Sequence, residues 1–410
     1  MRAPKNTALV LVATCATLLV TEGLFTIGYW VKDGRLIAVS EKLALPLDTP
    51  AGVDSKNAPP VAKRSRYFPH PYLGYTFDRQ HPALRGKINQ YGFSGKNFPK
   101  EKVPGTFTLL VTGGSVAHAL IGYAPRKSLL ARQLNKHYTT KKIRKFVVLN
   151  GAVHGWHQPQ QLITLALYGH LVDAVVTLDG YNEFREHMHG RSLRMEYPHS
   201  LYRTALLTHV AHPERAALLR RDQELRAWQR RNPLLRHSRT AFFVINRLRA
   251  KARAAALNNA PGHAGEAFRR IKQPFRLPQQ WSKKQKGATV LKSYRKYLRL
   301  MHAMAQAQGT KSLFTLQPIP HIDKRLTPEE KRWQNKKFDA RLYAESADAL
   351  TALRSEGLPA YSLLPIFKDI TEDIYVDAIH IKKRTPGNRL LTQALLELME
   401  KEWGLQRKRR

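Results

Sequence analysis

The sequence predicts an α/β protein built on a parallel sheet with helices on both sides. Short apolar runs carry that expectation: FTLLV (107–111), KFVVLN (145–150), DAVVTL (173–178) and KSLFTL (311–316). Each is bounded by turn residues and has the length of a strand buried on both faces. Stretches with helical patterning, such as 126–137 and 158–168, lie between them. Strands that alternate with helices form parallel sheets whose faces are covered. A weaker run, LPAYSLL (358–364), brings the expected sheet to about five strands.

Composition narrows the class. The chain has 410 residues, with 69 Lys and Arg against 30 Asp and Glu, a formal charge of +39. An apolar fraction of 43% supplies a real core, so this is not a disordered polycation. The single cysteine, Cys15, excludes an intramolecular disulfide and a cysteine-based zinc cluster. The excess of base points to an anionic partner: membrane headgroups, an acidic polymer or nucleic acid.

The N-terminus discriminates among these. Arg2 and Lys5 precede an apolar run over 8–31 that holds one charge, Glu22, and is long enough to span a bilayer as a helix. The expected layout is a cytoplasmic stub (1–7), a transmembrane signal anchor (8–31) and a proline-bearing linker (32–66), with the body exported to the periplasmic or extracellular side. A cleaved signal peptide is the competing reading, although no clean A-x-A site follows 8–20. A lipoprotein signal at Cys15 is weaker, because Thr14 stands where a small Gly or Ala is expected. Export in either form argues against nucleic acid as the partner.

The aromatic, Pro- and Gly-rich segment 67–105 reads as an irregular lead-in to the sheet. Between 185 and 309 no good strand occurs; the region reads as a basic helical insertion with a solvated charged face, or as a cap or polymer-binding surface. A basic tail is expected over 401–410.

Ligands of an open parallel sheet bind at the C-terminal ends of its strands. The first strand ends in Thr112-Gly113-Gly114-Ser115. Glycines permit a sharp turn and a close approach to a ligand. A serine opening the next helix has an unpaired N–H, so Ser115 could supply both a nucleophilic Oγ and an oxyanion donor. By itself it reads first as an N-cap, which serine commonly is. No P-loop or dinucleotide fingerprint is present, and the G-x-S-x-G elbow fails at Ala117. The second strand runs into NGAVHG, where Gly155 could offer a backbone N–H; the third runs into DGYNEF, where Asn182 could offer a side-chain N–H. Near the C-terminus, Asp377 and His380 are three apart, a spacing that lets the carboxylate reach Nδ1 and leaves Nε2 to accept a proton.

Taken together and in this order, TGGSVA, NGAVHG, DGYNEF and DAIH resemble the four blocks of the SGNH/GDSL hydrolase superfamily, over about 67–398 and excluding much of the insertion. The Ser block lacks the literal GDSL sequence, and Glu183 follows Asn182 where Asp is commoner. The resemblance implies a flavodoxin-like three-layer sheet and an esterase with Ser115, His380 and Asp377 as catalytic residues. It also implies an oxyanion hole from Ser115, Gly155 and Asn182, with no cofactor and no metal. Acyl transfer to a sugar hydroxyl would use the same residues. An alternative of another class is a non-catalytic module that holds an anionic polymer or a membrane surface through the basic insertion. The expected substrate is an O-acyl ester, foremost O-acetyl, on an anionic polysaccharide.

Other side chains are read more plainly. His187 and His189 form an H-x-H pair without a supporting cluster of Cys or carboxylate ligands, which argues against a metal site. His118 is expected to pack, His154 and His157 to shape the pocket, and Lys383 and Arg384 to belong to a solvated basic loop.

Overall fold

The computed structural model describes residues 5–33, 65–188, 192–197, 199, 201–202, 224–225, 227–233, 235–258, 270–333 and 340–408. The chain divides into two units. One comprises 1–64 and 210–269, the other 65–209 and 270–410.

In the first unit the apolar N-terminal run forms a helix, α1 (Lys5–Asp33). From Ala13 onward its apolar character is interrupted by Thr17, Thr21, Glu22 and Thr26. Among the described residues no helix is long and apolar enough to cross a membrane. Of the expected linker over 32–66, residues 34–64 lie outside the described residues.

The second unit opens with an antiparallel hairpin, β1 (Tyr67–His70) and β2 (Gly74–Phe77). The sheet then builds by strand and helix in turn. β3 (Thr106–Gly113) leads to α2 (Ser115–Ile121) and α3 (Leu129–His137); β4 (Lys145–Ala152) leads to α4 (Gln160–Tyr168); β5 (Ala174–Asp179) leads to α5 (Tyr181–Met188). Helix α6 (Arg239–Asn258) belongs to the first unit. The second unit resumes with α7 (Lys283–Ala307), β6 (Lys311–Leu316), α8 (Pro328–Lys331), α9 (Ala340–Ser355), β7 (Ala360–Ser362) and α10 (Pro386–Trp403).

All five sheet strands are parallel, in the order β4-β3-β5-β6-β7. Numbered from β3, that order is 2-1-3-4-5, the flavodoxin-like arrangement. Alternation along the strands separates two cores. Leu110, Leu149, Val175 and Phe314 face α7 and α9 together with the aromatic lead-in. Leu109, Val111, Val148, Val176 and Leu313 face α2, α3 and α10. The result is three layers, helix on sheet on helix.

The region expected as one insertion over 185–309 divides. Helix α7 is capped by a Ser282–Gln285 box and buries Tyr294, Leu298, Met301 and Ala305 at successive helical turns. It is a layer helix of the sheet, whereas α6 lies in the other unit. The expected basic tail is also tied down: Lys408 N–H donates to the His137 carbonyl at 2.7 Å, and Arg407 donates to Tyr138 and Glu400.

Candidate active site

The turn after β3 depends on its two glycines. Gly113 has φ +142°, and a Cβ there would lie 2.3 Å from the Leu178 carbonyl oxygen on β5. A Cβ on Gly114 would lie 2.2 Å from Asn182 Nδ2. Only bare backbone lets the Ser block and the Asn block come this close. Gly114 is the N-cap of α2 and Ser115 its first residue, so the serine side chain is not spent on capping.

Ser115 Oγ instead stands 2.7 Å from His380 Nε2, and His380 Nδ1 stands 2.7 Å from Asp377 Oδ2. Asp377 Oδ1 accepts the backbone N–H groups of Ile379 and His380 at 2.9 and 2.8 Å. Burial raises the Asp377 pKa, but the hydrogen bonds and charge of His380 and those two N–H groups outweigh it and leave the carboxyl below its usual value. The carboxylate therefore stays ionised beside the imidazole and holds Nδ1 as the protonated nitrogen. The histidine side chain is 30% exposed, so the hydroxyl–imidazole pair is open to a substrate.

The loop bearing Asp377 and His380 is clamped at its base. Val376 N–H donates to the His380 carbonyl and Lys382 N–H to that of Ile374. Glu330, fully buried, accepts the N–H groups of Ile374 and Tyr375 on one oxygen and Lys324 Nζ, at 2.5 Å, on the other. Lys324 also reaches the Glu372 carbonyl. The sequence carried a signal for this clamp: Thr327-Pro-Glu-Glu330 is a capping box, with both of its hydrogen bonds formed.

Gly155 has φ +76°, and a Cβ there would meet His199 Nδ1 at 2.7 Å and the Tyr75 hydroxyl at 2.9 Å. Its loop is seated on the lead-in. Tyr75 OH donates to the His154 carbonyl, Trp156 Nε1 donates to the Tyr75 carbonyl, and Gln160 Nε2 donates to that of Leu73. Asn182 Nδ2 donates to the Trp156 carbonyl at 2.9 Å, joining the Gly and Asn blocks and leaving the amide a second N–H.

Sequence reasoning missed the network behind these blocks. Thr112 Oγ1 donates to Gln161, Gln161 Nε2 donates to Glu183, and Glu183 accepts the Gly180 N–H at 2.7 Å. Asp179, at the end of β5, accepts from Tyr294 OH at 2.6 Å. Burial pushes the Asp179 pKa up to about 7, against hydrogen bonds led by that from Tyr294. Burial and the neighbouring Asp179 raise Glu183 as well. Two buried, interacting carboxyls hold a proton in preference to two charges.

The remaining histidines sort as follows. His118 Nδ1 lies 3.1 Å from His154 Nε2; His118 Nε2 lies 3.0 Å from Ser94 Oγ, and His154 Nδ1 lies 2.8 Å from Tyr67 OH. Burial, reinforced by the charge of Lys383, takes the His118 pKa down to about 3. Burial also lowers His154, helped by the charges of His118 and His380. The pair is thus a neutral strut between the lead-in and the Ser and Gly blocks. His157 Nδ1 contacts the Gln158 carbonyl, and His187 is buried against α7 at Gly287. His189 lies outside the described residues. Lys383 is near enough to act on His118, and Arg384 has φ +59°.

Fold and site together define a class: an α/β protein with a five-strand parallel sheet and a Ser–His–Asp arrangement at the C-terminal edge of that sheet. No family model matches the chain, and no curated protein matches it. Among solved structures, one from Parabacteroides merdae described as a GDSL-like lipase is similar at 11% identity and a TM-score of 0.34, covering 76% of this chain and all of that one.

Proposed function

We propose that the chain is a serine esterase of the SGNH type that hydrolyses O-acyl esters, foremost O-acetyl groups on an anionic envelope or extracellular polysaccharide. One observation carries the reading: the paired 2.7 Å contacts by which the His380 imidazole joins the Ser115 hydroxyl to the Asp377 carboxylate. In this reading Ser115 Oγ attacks the ester carbonyl carbon while His380 Nε2 takes its proton. The tetrahedral oxyanion is held by the N–H groups of Ser115 and Gly155 and the Asn182 amide. The C–O bond then breaks, and His380 returns the proton to the departing alcohol. Water, deprotonated by His380, attacks the acyl-enzyme, and a second collapse releases the acid and restores Ser115.

Support for an anionic substrate comes from the net charge of +39. It also comes from Arg66, Arg185 and Lys383, whose charges act on His154, Tyr181 and His118 respectively. The apolar run over 8–31 supports attachment to a membrane surface.

The test is fluorophosphonate labelling together with release of a chromogenic acetyl ester. The expected result is an adduct on Ser115 and turnover, with both lost in Ser115→Ala and turnover lost in His380→Ala. A wild-type chain with neither adduct nor turnover would refute the reading. Activity on acetylated acidic polysaccharide should exceed that on a neutral one and decline as salt rises.

A further inference from the structure

The apolar run over 8–31 contains a single charge, Glu22. A lone carboxylate in such a run is costly unless it is partnered. Its partner is the start of α6. Glu22 accepts Ser238 Oγ at 2.8 Å and the backbone N–H groups of Arg239 and Thr240 at 2.5 and 3.1 Å. These N–H groups belong to the unsatisfied donors of a helix start, where a negative charge is also favoured by the helix dipole. Arg239 Nη1 donates to Thr26 Oγ1 at 3.3 Å, and the rings of Phe25 and Phe243 are 4.7 Å apart. Glu22 therefore pins α6 to α1.

Helix α6 then divides by face. Ile245 and Arg249, four residues apart, are buried. Val244, Arg247, Leu248 and Lys251, at i, i+3, i+4 and i+7, are exposed; Val244 is 47% and Leu248 48% accessible. The helix has no acidic residue. An exposed stripe that mixes branched apolar side chains with long basic ones is poorly suited to water. It is also poorly suited to a soluble polyanion, which would satisfy the charges and leave Val244 and Leu248 wet. At a bilayer interface both needs are met, since apolar groups enter the acyl boundary while basic stems reach back to phosphates.

We propose that α6 is an interfacial helix that docks on an anionic phospholipid surface through Val244, Arg247, Leu248 and Lys251, with Glu22 fixing it to α1. The proposal is independent of the esterase reading and does not require α1 to cross the bilayer.

Cys15 is the only cysteine, so the full-length chain with Cys15→Ser and Leu248→Cys accepts one environment-sensitive fluorophore. Three additions are compared: phosphatidylcholine vesicles, vesicles that also contain phosphatidylglycerol, and polygalacturonate without lipid. The expected result is a blue shift with phosphatidylglycerol vesicles alone, reversed by salt. Arg247→Gln with Lys251→Gln should lower the bound-to-free ratio of α6 about thirtyfold, from two basic contacts at an anionic surface. The labelled chain without those changes already carries the test, so failure of the double variant to fold would not rescue the idea. Water-like emission with every addition, an equal shift with neutral vesicles, or a shift with polygalacturonate would each overturn it.

Discussion

Under the proposed esterase reading, adding one methyl group at Gly114 should remove Asn182 from the oxyanion hole and leave the Ser115–His380–Asp377 contacts in place. Gly114 has φ −89°, outside the left-handed region that favours glycine. The new Cβ would lie 2.2 Å from Asn182 Nδ2. Ordinary contact begins near 3.4 Å, so the amide must withdraw by about 1 Å, a misplacement that can cost about 10²-fold in rate. Loss of one oxyanion donor costs about 10²–10³-fold, or about 2.7–4 kcal/mol of barrier. Gly114→Ala should therefore lower kcat on a chromogenic acetyl ester by about two orders of magnitude and leave the Ser115–His380 pair in place. Because the damage runs through one side chain, Gly114→Ala in an Asn182→Ala background should add little. The remaining neighbour, the Trp156 carbonyl at 3.2 Å, demands only a small adjustment. A double-mutant cycle on kcat/KM reads this directly. Full activity in Gly114→Ala, or effects of the two changes that simply multiply, would refute the argument.

Three further outcomes follow from the same geometry. Asp179 titrates near 7 in the folded chain and near 3.9 when unfolded, so the native state binds the extra proton and the stability it contributes is lost as pH rises from about 4 to 7; thermal melts should show Asp179→Asn gaining on the wild type across that window. Lys324→Met leaves the Glu330 carboxylate buried without its cation, which should cost about 3–5 kcal/mol and move the urea midpoint down accordingly. Tyr75→Phe removes the hydroxyl that donates to the His154 carbonyl, worth about 1 kcal/mol, and should lower kcat severalfold with little change in KM, because the Gly155 loop shifts while the triad does not.

The strands were legible because each is buried on both faces and flanked by turn residues; β6 occupies the 311–316 run itself, β3 extends its run by one residue at the start and two at the end, and β4 by two at the end. The order of the strands was not in those runs but in the resemblance. Ser115, Asp377 and His380 were legible through their types and order, and their convergence follows from where the strands end. The buried partners were not legible. Lys324 and Glu330 are charged residues in a polar stretch, and only their neighbourhood reveals a buried pair. Asp179 and Glu183 flank the Asn block, but sequence spacing does not say that both are dry. Helix α7 was absorbed into the basic insertion because its Lys and Arg residues conceal an apolar stripe, Tyr294, Leu298, Met301 and Ala305.

The seating of the Gly155 loop on the β1–β2 hairpin bears on how the molecule divides as a unit of inheritance. Leu73 and Tyr75 precede the first sheet strand by some thirty residues, yet they hold the loop that follows β4. A lineage that exchanged its N-terminal module by recombination would have to place the junction before residue 65 to keep these contacts. A junction just before Thr106 would carry Ser115 and His380 into the hybrid and leave the Gly155 loop without its support. The segment from 65 to 105 therefore travels with the sheet.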